Sequence, residues 1–376
     1  MTTEPEARIR LAREIERGGS ALSSRVVEAF LNVPRQPFVP AFYRWEGGVH
    51  RPWRGLDEEA WLWAVYADEA LVTEVDGVHV EDAPEAGVSG VATSSSTAPG
   101  LMADMLDALD VRPGDRVLEV GTGTGYNTAL LCRLAGAGGV TTVDRTGRLV
   151  EAARERLRGT GFEPAVLHAD GSDGSPDGWR FDRIIATCSV RRIPPAWLAR
   201  CVTGGVIVAP IGNALGGGAV VRLTKLPDGG AAGRFLHRPA AFMPLRPDGG
   251  GTGTTHVTAP GPGRRRTSVV GARVLDDHAF SFWAGLRLPP SVVRDGGTLH
   301  DHADGSAVRV EDHPGRPSTA TVGGPRDLWQ LVETAWTTWR RHHRPRREWL
   351  TMTVGPDGAQ TVTFTAPDGW PTSWTL

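Results

Sequence analysis

Val117-Leu-Glu-Val-Gly-Thr-Gly-Thr-Gly-Tyr126 is the stretch on which the fold turns. An apolar run of strand character enters three alternating glycines, and a helical pattern begins directly after them. Gly121, Gly123 and Gly125 let the chain turn tightly and pass close to a ligand, where any Cβ would collide. A dinucleotide fingerprint, G-x-G-x-x-G, would need glycine where Tyr126 stands, so that pattern is broken. Working outward, a helix over 100–109 leads through Arg112-Pro-Gly-Asp115 into the strand at 116–120. A helix at 126–135, a strand at 139–143 and a helix at 147–158 follow, with strands near 164–168, 181–187 and 205–210. This alternation, with β-branched apolar strands, predicts an α/β fold whose doubly wound parallel sheet is covered on both faces.

Carboxylates stand where such strands end. Asp144 closes Val140-Thr-Thr-Val-Asp144, nineteen residues beyond Gly125, and Asp170 with Gly171 closes Leu167-His-Ala-Asp-Gly171. Each acid taken singly is a helix N-cap or a turn residue. In order, at successive strand ends, they point to a nucleoside-type cofactor. An acid at Asp144 suits two ribose hydroxyls and disfavours a 2′-phosphate. The strand-end acid Glu119 followed by G-x-G-x-G resembles the Rossmann-like class I methyltransferases. That resemblance implies S-adenosylmethionine as cofactor and S-adenosylhomocysteine as product. It places Glu119, Gly121, Thr122, Gly123, Thr124 and Gly125 around the cofactor. Asp144 and Arg145 would lie at the ribose, Asp170 and Gly171 at the adenine amino group, and Thr187 at the methionine end.

Upstream stands Ala92-Thr-Ser-Ser-Ser-Thr-Ala-Pro99. One hydroxyl suffices for an N-cap before the helix that follows, and five in a row exceed that need. This stretch, at its distance from the glycine loop, resembles the protein L-isoaspartate O-methyltransferase family, with its S-x-P motif before V-L-E-x-G-T-G-x-G-Y. The resemblance extends to Val27-Glu-Ala-Phe-Leu-Asn-Val-Pro-Arg-Gln-Pro-Phe-Val-Pro40, Leu149–Leu157, Ile193–Leu198 and Gly204–Pro210, so it spans about residues 20–245. The sequence departs from the family pattern at Thr97, at Gly100 and over 71–91, and it adds a long C-terminal extension. These departures resemble the divergent branch that acts on ribosomally synthesised peptides in graspetide and lanthipeptide pathways.

The resemblance implies a carboxyl O-methyltransferase whose partner is a modified precursor peptide, with an aspartate ester that collapses to aspartimide. An aspartate has a reference pKa of about 3.9, so its attack on a sulfonium methyl needs no general base. Ser94, Ser95, Ser96 and Thr97 suit the catalytic role of holding that carboxylate without a fixed positive charge beside it. Repair of isoaspartate in damaged proteins is a rival within the class, and a non-catalytic peptide-binding protein is a rival outside it.

The organisation expected is an N-terminal, substrate-covering region over 1–98, a cofactor-binding core over 99–246, a Gly/Pro-rich linker over 247–265 and an α+β accessory domain over 266–376. Residues 5–32 read as helix interrupted at Gly18-Gly19, and 71–98 as an extended loop region. In the accessory part a helix is predicted around 325–341 and a hairpin from Leu350 to Thr365.

Net charge is −2, so no global field argues for nucleic acid or an anionic membrane. Arg191 and Arg192 could steer an acidic peptide but read first as solvated loop charges. Arg340–Arg347 could touch nucleic acid or an acidic leader peptide but reads first as a solvated helix end. Cys132, Cys188 and Cys201 lie far apart and form neither a disulfide framework nor a zinc spacing. No metal is expected, His300 and His302 being too loose a grouping. With no apolar run of membrane length and a charged N-terminus, the expectation is a cytoplasmic protein.

Overall fold

The computed structural model describes residues 3–18, 22–54, 58–136, 138–175, 178–246, 259–261, 263–367, 369 and 371–376. Residues 247–258 and 262 of the expected linker lie outside these, as does Gly19. The chain opens with helices α1 (Glu4–Arg17) and α2 (Ser24–Asn32), then the hairpin β1 (Phe42–Glu46) and β2 (Val49–Trp53), and helix α3 (Glu58–Val65). Strands β3 (Leu71–Val75), β4 (Val78–His79) and β5 (Ala92–Ser96) complete a small antiparallel sheet in which β5 pairs with β3. Residues 71–98, expected as loop, thus hold three strands, with loop and a short 3-10 turn between β4 and β5. Val72 and Val75 supply apolar anchors, but the hydroxyl run hides the pattern because polar residues occupy both of its faces.

The core follows as α4 (Pro99–Leu109), β6 (Val117–Val120), α5 (Tyr126–Ala135), β7 (Val140–Asp144), α6 (Gly147–Gly159), β8 (Ala165–His168) and β9 (Phe181–Ala186). Helix α7 (Pro195–Arg200) leads into β10 (Cys201–Ile211), β11 (Ala219–Lys225) and β12 (Ala231–Pro239). The C-terminal part holds β13 (Arg264–Ser268), α8 (His278–Gly285), β14 (Val292–Asp295), β15 (Thr298–Asp301), β16 (Ala307–His313), β17 (Arg316–Gly323) and α9 (Leu328–Arg341). It ends with β18 (Leu350–Val354), β19 (Gln360–Thr365) and β20 (Pro371–Thr375).

The main sheet has the order β20-β19-β18-β12-β11-β10-β9-β6-β7-β8. Its half from β10 to β8 is parallel and the remainder antiparallel. The strand order reverses between β6 and β9, which opens a crevice at their carboxyl ends. This is the expected Rossmann-like α/β core.

Alternation along the strands assigns the two faces. Val117 and Ile185 pack with Leu11, Phe30, Leu106 and Leu130, so the N-terminal helices and α4–α6 cover one side. Leu118, Ile184 and Leu223 face the other, with Trp283, Trp329 and Val362 of the C-terminal part. The grouping of 350–376 with the accessory region is corrected by the pairing: β18 joins β12 in register from Ala231↔Val354 to Arg234↔Thr351, so the last three strands extend the main sheet. The remaining five strands form their own sheet, β13-β17-β16-β15-β14.

Candidate active site

The glycine loop sits at the strand reversal. Gly121 has φ +100°, and a Cβ there would lie 2.5 Å from Thr187 Oγ1, which itself donates to the Gly121 carbonyl at 2.6 Å. Gly125, at φ +87°, caps α5 and faces the other way, where a Cβ would meet Ala153 of α6 at 3.3 Å. The first glycine therefore borders the cleft, and the third permits close helix packing. Thr122 Oγ1 lies 2.7 Å from Thr142 Oγ1, tying the loop to β7.

The carboxylates divide in the same way. Asp144, partly exposed at the end of β7, accepts the Gly123 and Thr146 amides at 3.0 Å each and keeps further lone pairs toward the cleft. Burial raises its pKa against the lowering effect of those two amides. Glu119 lies wholly buried behind the loop, accepting hydrogen bonds from Asn127 Nδ2 at 2.7 Å and from Thr128 Oγ1. Burial pushes this carboxyl up to about 7 despite those donors. The Asp170 Oδ1 accepts the Ser172 amide and hydroxyl, both at 2.7 Å, in a tight turn. Gly171 rather than Asp170 borders the cleft, since a Cβ there would strike Val120 Cγ1 at 2.4 Å. Of the residues placed around the cofactor by sequence, all line the cleft except Glu119, Gly125 and Asp170.

The hydroxyl cluster is strand β5, and its alternation splits the four candidates. Ser94 and Ser96 are buried. Ser94 Oγ accepts from Thr73 Oγ1 at 3.1 Å, and Ser96 Oγ accepts from Arg35 Nη2 at 3.1 Å and Nε at 3.3 Å. Ser95 and Thr97 are half-buried, and no side-chain partner engages them among the described residues. The cluster does not cap α4. Asp68 does, accepting the Gly100 amide at 2.6 Å, and a Cβ at Gly100 would lie 2.4 Å from that carboxylate.

Sequence reasoning missed Arg35, which stands in the Val-Pro-Arg-Gln-Pro-Phe-Val-Pro segment. Its guanidinium is fully buried and donates to the carbonyls of Val65, Ala67, Glu69, Ser96 and Thr97 at 2.8–3.3 Å. It also lies 5.9 Å from the ring centre of Tyr126. Burial pushes its pKa down to about 10, which still leaves it charged near neutrality. An arginine inside an otherwise apolar, proline-rich run was the available signal, because a buried cation requires such a set of acceptors.

The cleft enclosed by these parts has a volume of about 1120 Å³. Its walls are the glycine loop, β5, the segments 187–194 and 240–246, and Val292, Val293 and Arg294 of β14. The contribution of β14 from the C-terminal part was not foreseen. Among the described residues no group of three or more His, Cys, Asp or Glu could hold a metal ion. His300 and His302 meet edge to face with ring centres 4.5 Å apart, while Asp301 is paired with Arg326. No described helix is long and apolar enough to cross a membrane.

The residues present fit a nucleoside sulfonium ligand. Gly121 and the Asp144 carboxylate border one cleft, and Asn127 Oδ1, buried without a partner among the described residues, borders it too. Three comparisons agree with this. Residues 67–246 match the family model of protein-L-isoaspartate(D-aspartate) O-methyltransferase. A protein-L-isoaspartate O-methyltransferase of Ignicoccus hospitalis is 33% identical over 242 residues, which is 64% of this chain and 97% of that relative. One of Aeropyrum pernix is 35% identical over 211 residues, 55% of this chain and 68% of its own length. In fold, a solved protein-L-isoaspartate O-methyltransferase aligns over 95% of this chain and 99% of its own, with a TM-score of 0.55 at 23% identity. A glycine loop at the strand reversal, a carboxylate at the next strand end and a relative matched almost end to end lead to one conclusion: the chain belongs to the protein-L-isoaspartate O-methyltransferase family and is an S-adenosylmethionine-dependent protein carboxyl O-methyltransferase.

Proposed function

We propose that the acceptor is the side-chain carboxylate of an ordinary aspartate in a modified, macrocyclised ribosomal peptide, and that the ester closes to an aspartimide. In this reading Asp144 holds the ribose hydroxyls, with Arg145 beside it. Gly121, Thr122, Gly123 and Thr124 pass along the cofactor, Gly171 meets the adenine, and Thr187 stands at the methionine end. Bound there, S-adenosylmethionine supplies a methyl group on a positively charged sulfur. The chain's own task is then to bring a carboxylate oxygen into line with that methyl and to keep water away. Ser95 and Thr97 donate hydrogen bonds to the acceptor carboxylate, while Ser94 and Ser96 hold their strand in place from behind. A carboxyl oxygen bonds to the methyl carbon as the carbon–sulfur bond breaks, its electron pair staying on sulfur. In the ester, the next backbone nitrogen attacks the carbonyl and methanol leaves.

The observation that carries this reading is the cleft. At about 1120 Å³ it exceeds the roughly 300–1,000 Å³ usual for a small-molecule site, and β14 gives it a third wall. A compact ring entering between walls suits that shape better than a long flexible chain lying across an open surface.

Repair of isoaspartyl residues is the second reading, favoured by the name of the 33%-identical relative that the chain covers over 97% of its length. Matched linear, isoaspartyl and macrocyclic aspartyl peptides, incubated with the protein and S-adenosylmethionine, separate the two by mass spectrometry. The expected result is gain of one methyl group on the macrocycle, followed by loss of methanol. Preference for the linear isoaspartyl peptide would establish the repair reading instead.

A further inference from the structure

Two segments run side by side out of the cleft. Ser189 bridges Pro244 in parallel, and the Leu245 amide donates to the Ser189 carbonyl at 2.8 Å. Two residues beyond that bridge on either segment stand Arg191 and Arg246, with Arg192 next along. All three line the cleft. Arg191 and Arg192 are exposed and Arg246 is half-buried. None makes an ion pair among the described residues, although Arg192 donates to the Gly358 carbonyl at 3.0 Å. Of the other two cleft arginines, Arg294 is engaged by Asp276 and by the carbonyls of Leu215, Leu275 and Gly296. Arg145, beside Asp144 on the opposite side of the glycine loop's strand, leaves its buried Nη1 without a hydrogen-bond partner among the described residues. The lining carboxylates are Asp76 and Asp144, and Asp144 already accepts two amides. Arg246 lies within electrostatic reach of Asp144, yet in a chain of net charge −2 the cleft mouth still carries a local excess of guanidinium groups over carboxylates. Guanidinium pairs bidentately with carboxylates, and unpaired charges at a rim raise association rates with partners of opposite sign.

We propose that Arg191, Arg192 and Arg246 form a docking edge for an acidic segment of the peptide substrate, flanking the residue that is methylated. This rests on the peptide-acceptor reading above and adds the substrate's charge to it. The edge acts on binding, while Ser95 and Thr97 act at the acceptor carboxylate.

The test uses the full chain saturated with S-adenosylhomocysteine and two fluorescein-labelled peptides of equal length with the same acceptor. One has Asp and Glu flanks, and the other has Asn and Gln. Anisotropy titration should show the acidic peptide bound about tenfold more tightly at low salt, with the gap closing at high salt. The same gap should close to a similar extent in R191Q/R246Q and in R191E, each of which lowers the charge of the edge by two, while calorimetry finds S-adenosylhomocysteine affinity unchanged. Equal affinity for the two peptides in the wild-type protein, or a preference that survives R191Q/R246Q, would overturn the proposal. So would a loss of S-adenosylhomocysteine affinity in these variants, which would place the arginines on the cofactor. Methyl transfer to the two peptides is measured separately. If neither is methylated while the arginine-dependent preference holds, the acceptor assignment fails and the docking edge stands.

Discussion

Two buried charges and two pairs of hydroxyls govern the site at the level of single residues. All four hydroxyl residues border the cleft, but Ser95 and Thr97 have no side-chain partner among the described residues, whereas Ser96 accepts from Arg35. S95A/T97A should lower turnover at least about tenfold, leaving melting temperature and S-adenosylhomocysteine affinity near wild type. S96A should instead destabilise the fold by roughly 1–3 kcal/mol, because it strips an acceptor from a buried cation. A thermal melt beside a single-turnover assay distinguishes them, and equal effects of both variants on both readouts would refute the split. Glu119 gives a pH signature. Its folded carboxyl sits at about 7, above the usual carboxylate range, so its contribution to stability is fully present below pH 4.5 and is lost as pH rises through 7. Wild-type stability should therefore fall on the order of 3 kcal/mol more than that of E119Q between pH 5 and pH 8. Parallel curves from denaturant titration would show that Glu119 stays ionised throughout.

Among elements, helix α4 shows what a sequence hides. The Ser/Thr run before it has the composition of a cap, yet the cap comes from Asp68, thirty-two residues before Gly100. D68A should cost about 1 kcal/mol. G100A should cost about as much as D68A in the wild-type chain and little in D68A, because its Cβ displaces the capping carboxylate, an exposed side-chain end that can swing away. Additive losses in that double-mutant cycle would disprove the overlap. The glycine loop, the strand ends and most core helices were legible because they depend on local spacing and on the two periodicities of helix and strand. Of the three strand-end carboxylates, Asp144 lines the cleft, whereas Glu119 is buried against Asn127 and Thr128 and Asp170 is turned to Ser172. Arg35, Asp68 and β14 were not legible as site elements, since each reaches its partners only through tertiary packing.

In the whole molecule, the C-terminal part is welded to the core rather than appended to it. Trp283 of α8 packs edge-on against Trp374 of β20 and Phe364 of β19, with ring centres 4.6 Å and 5.5 Å apart. W374A should destabilise the entire chain by about 3–5 kcal/mol, and calorimetry should show one cooperative transition in both proteins. Two resolved transitions, with only the second shifted, would show that the parts unfold independently. The pairing of β12 with β18 has a further consequence during synthesis. Ala231 leaves the ribosome more than a hundred residues before its partner Val354. Until then the growing polypeptide carries a raw strand edge at β12, on the antiparallel side of an otherwise finished mixed sheet, the situation in which nascent chains pair with the wrong neighbour. Translation speed across 240–350, and access of a chaperone to that edge, thus become determinants of yield that equilibrium measurements on the finished protein will not register.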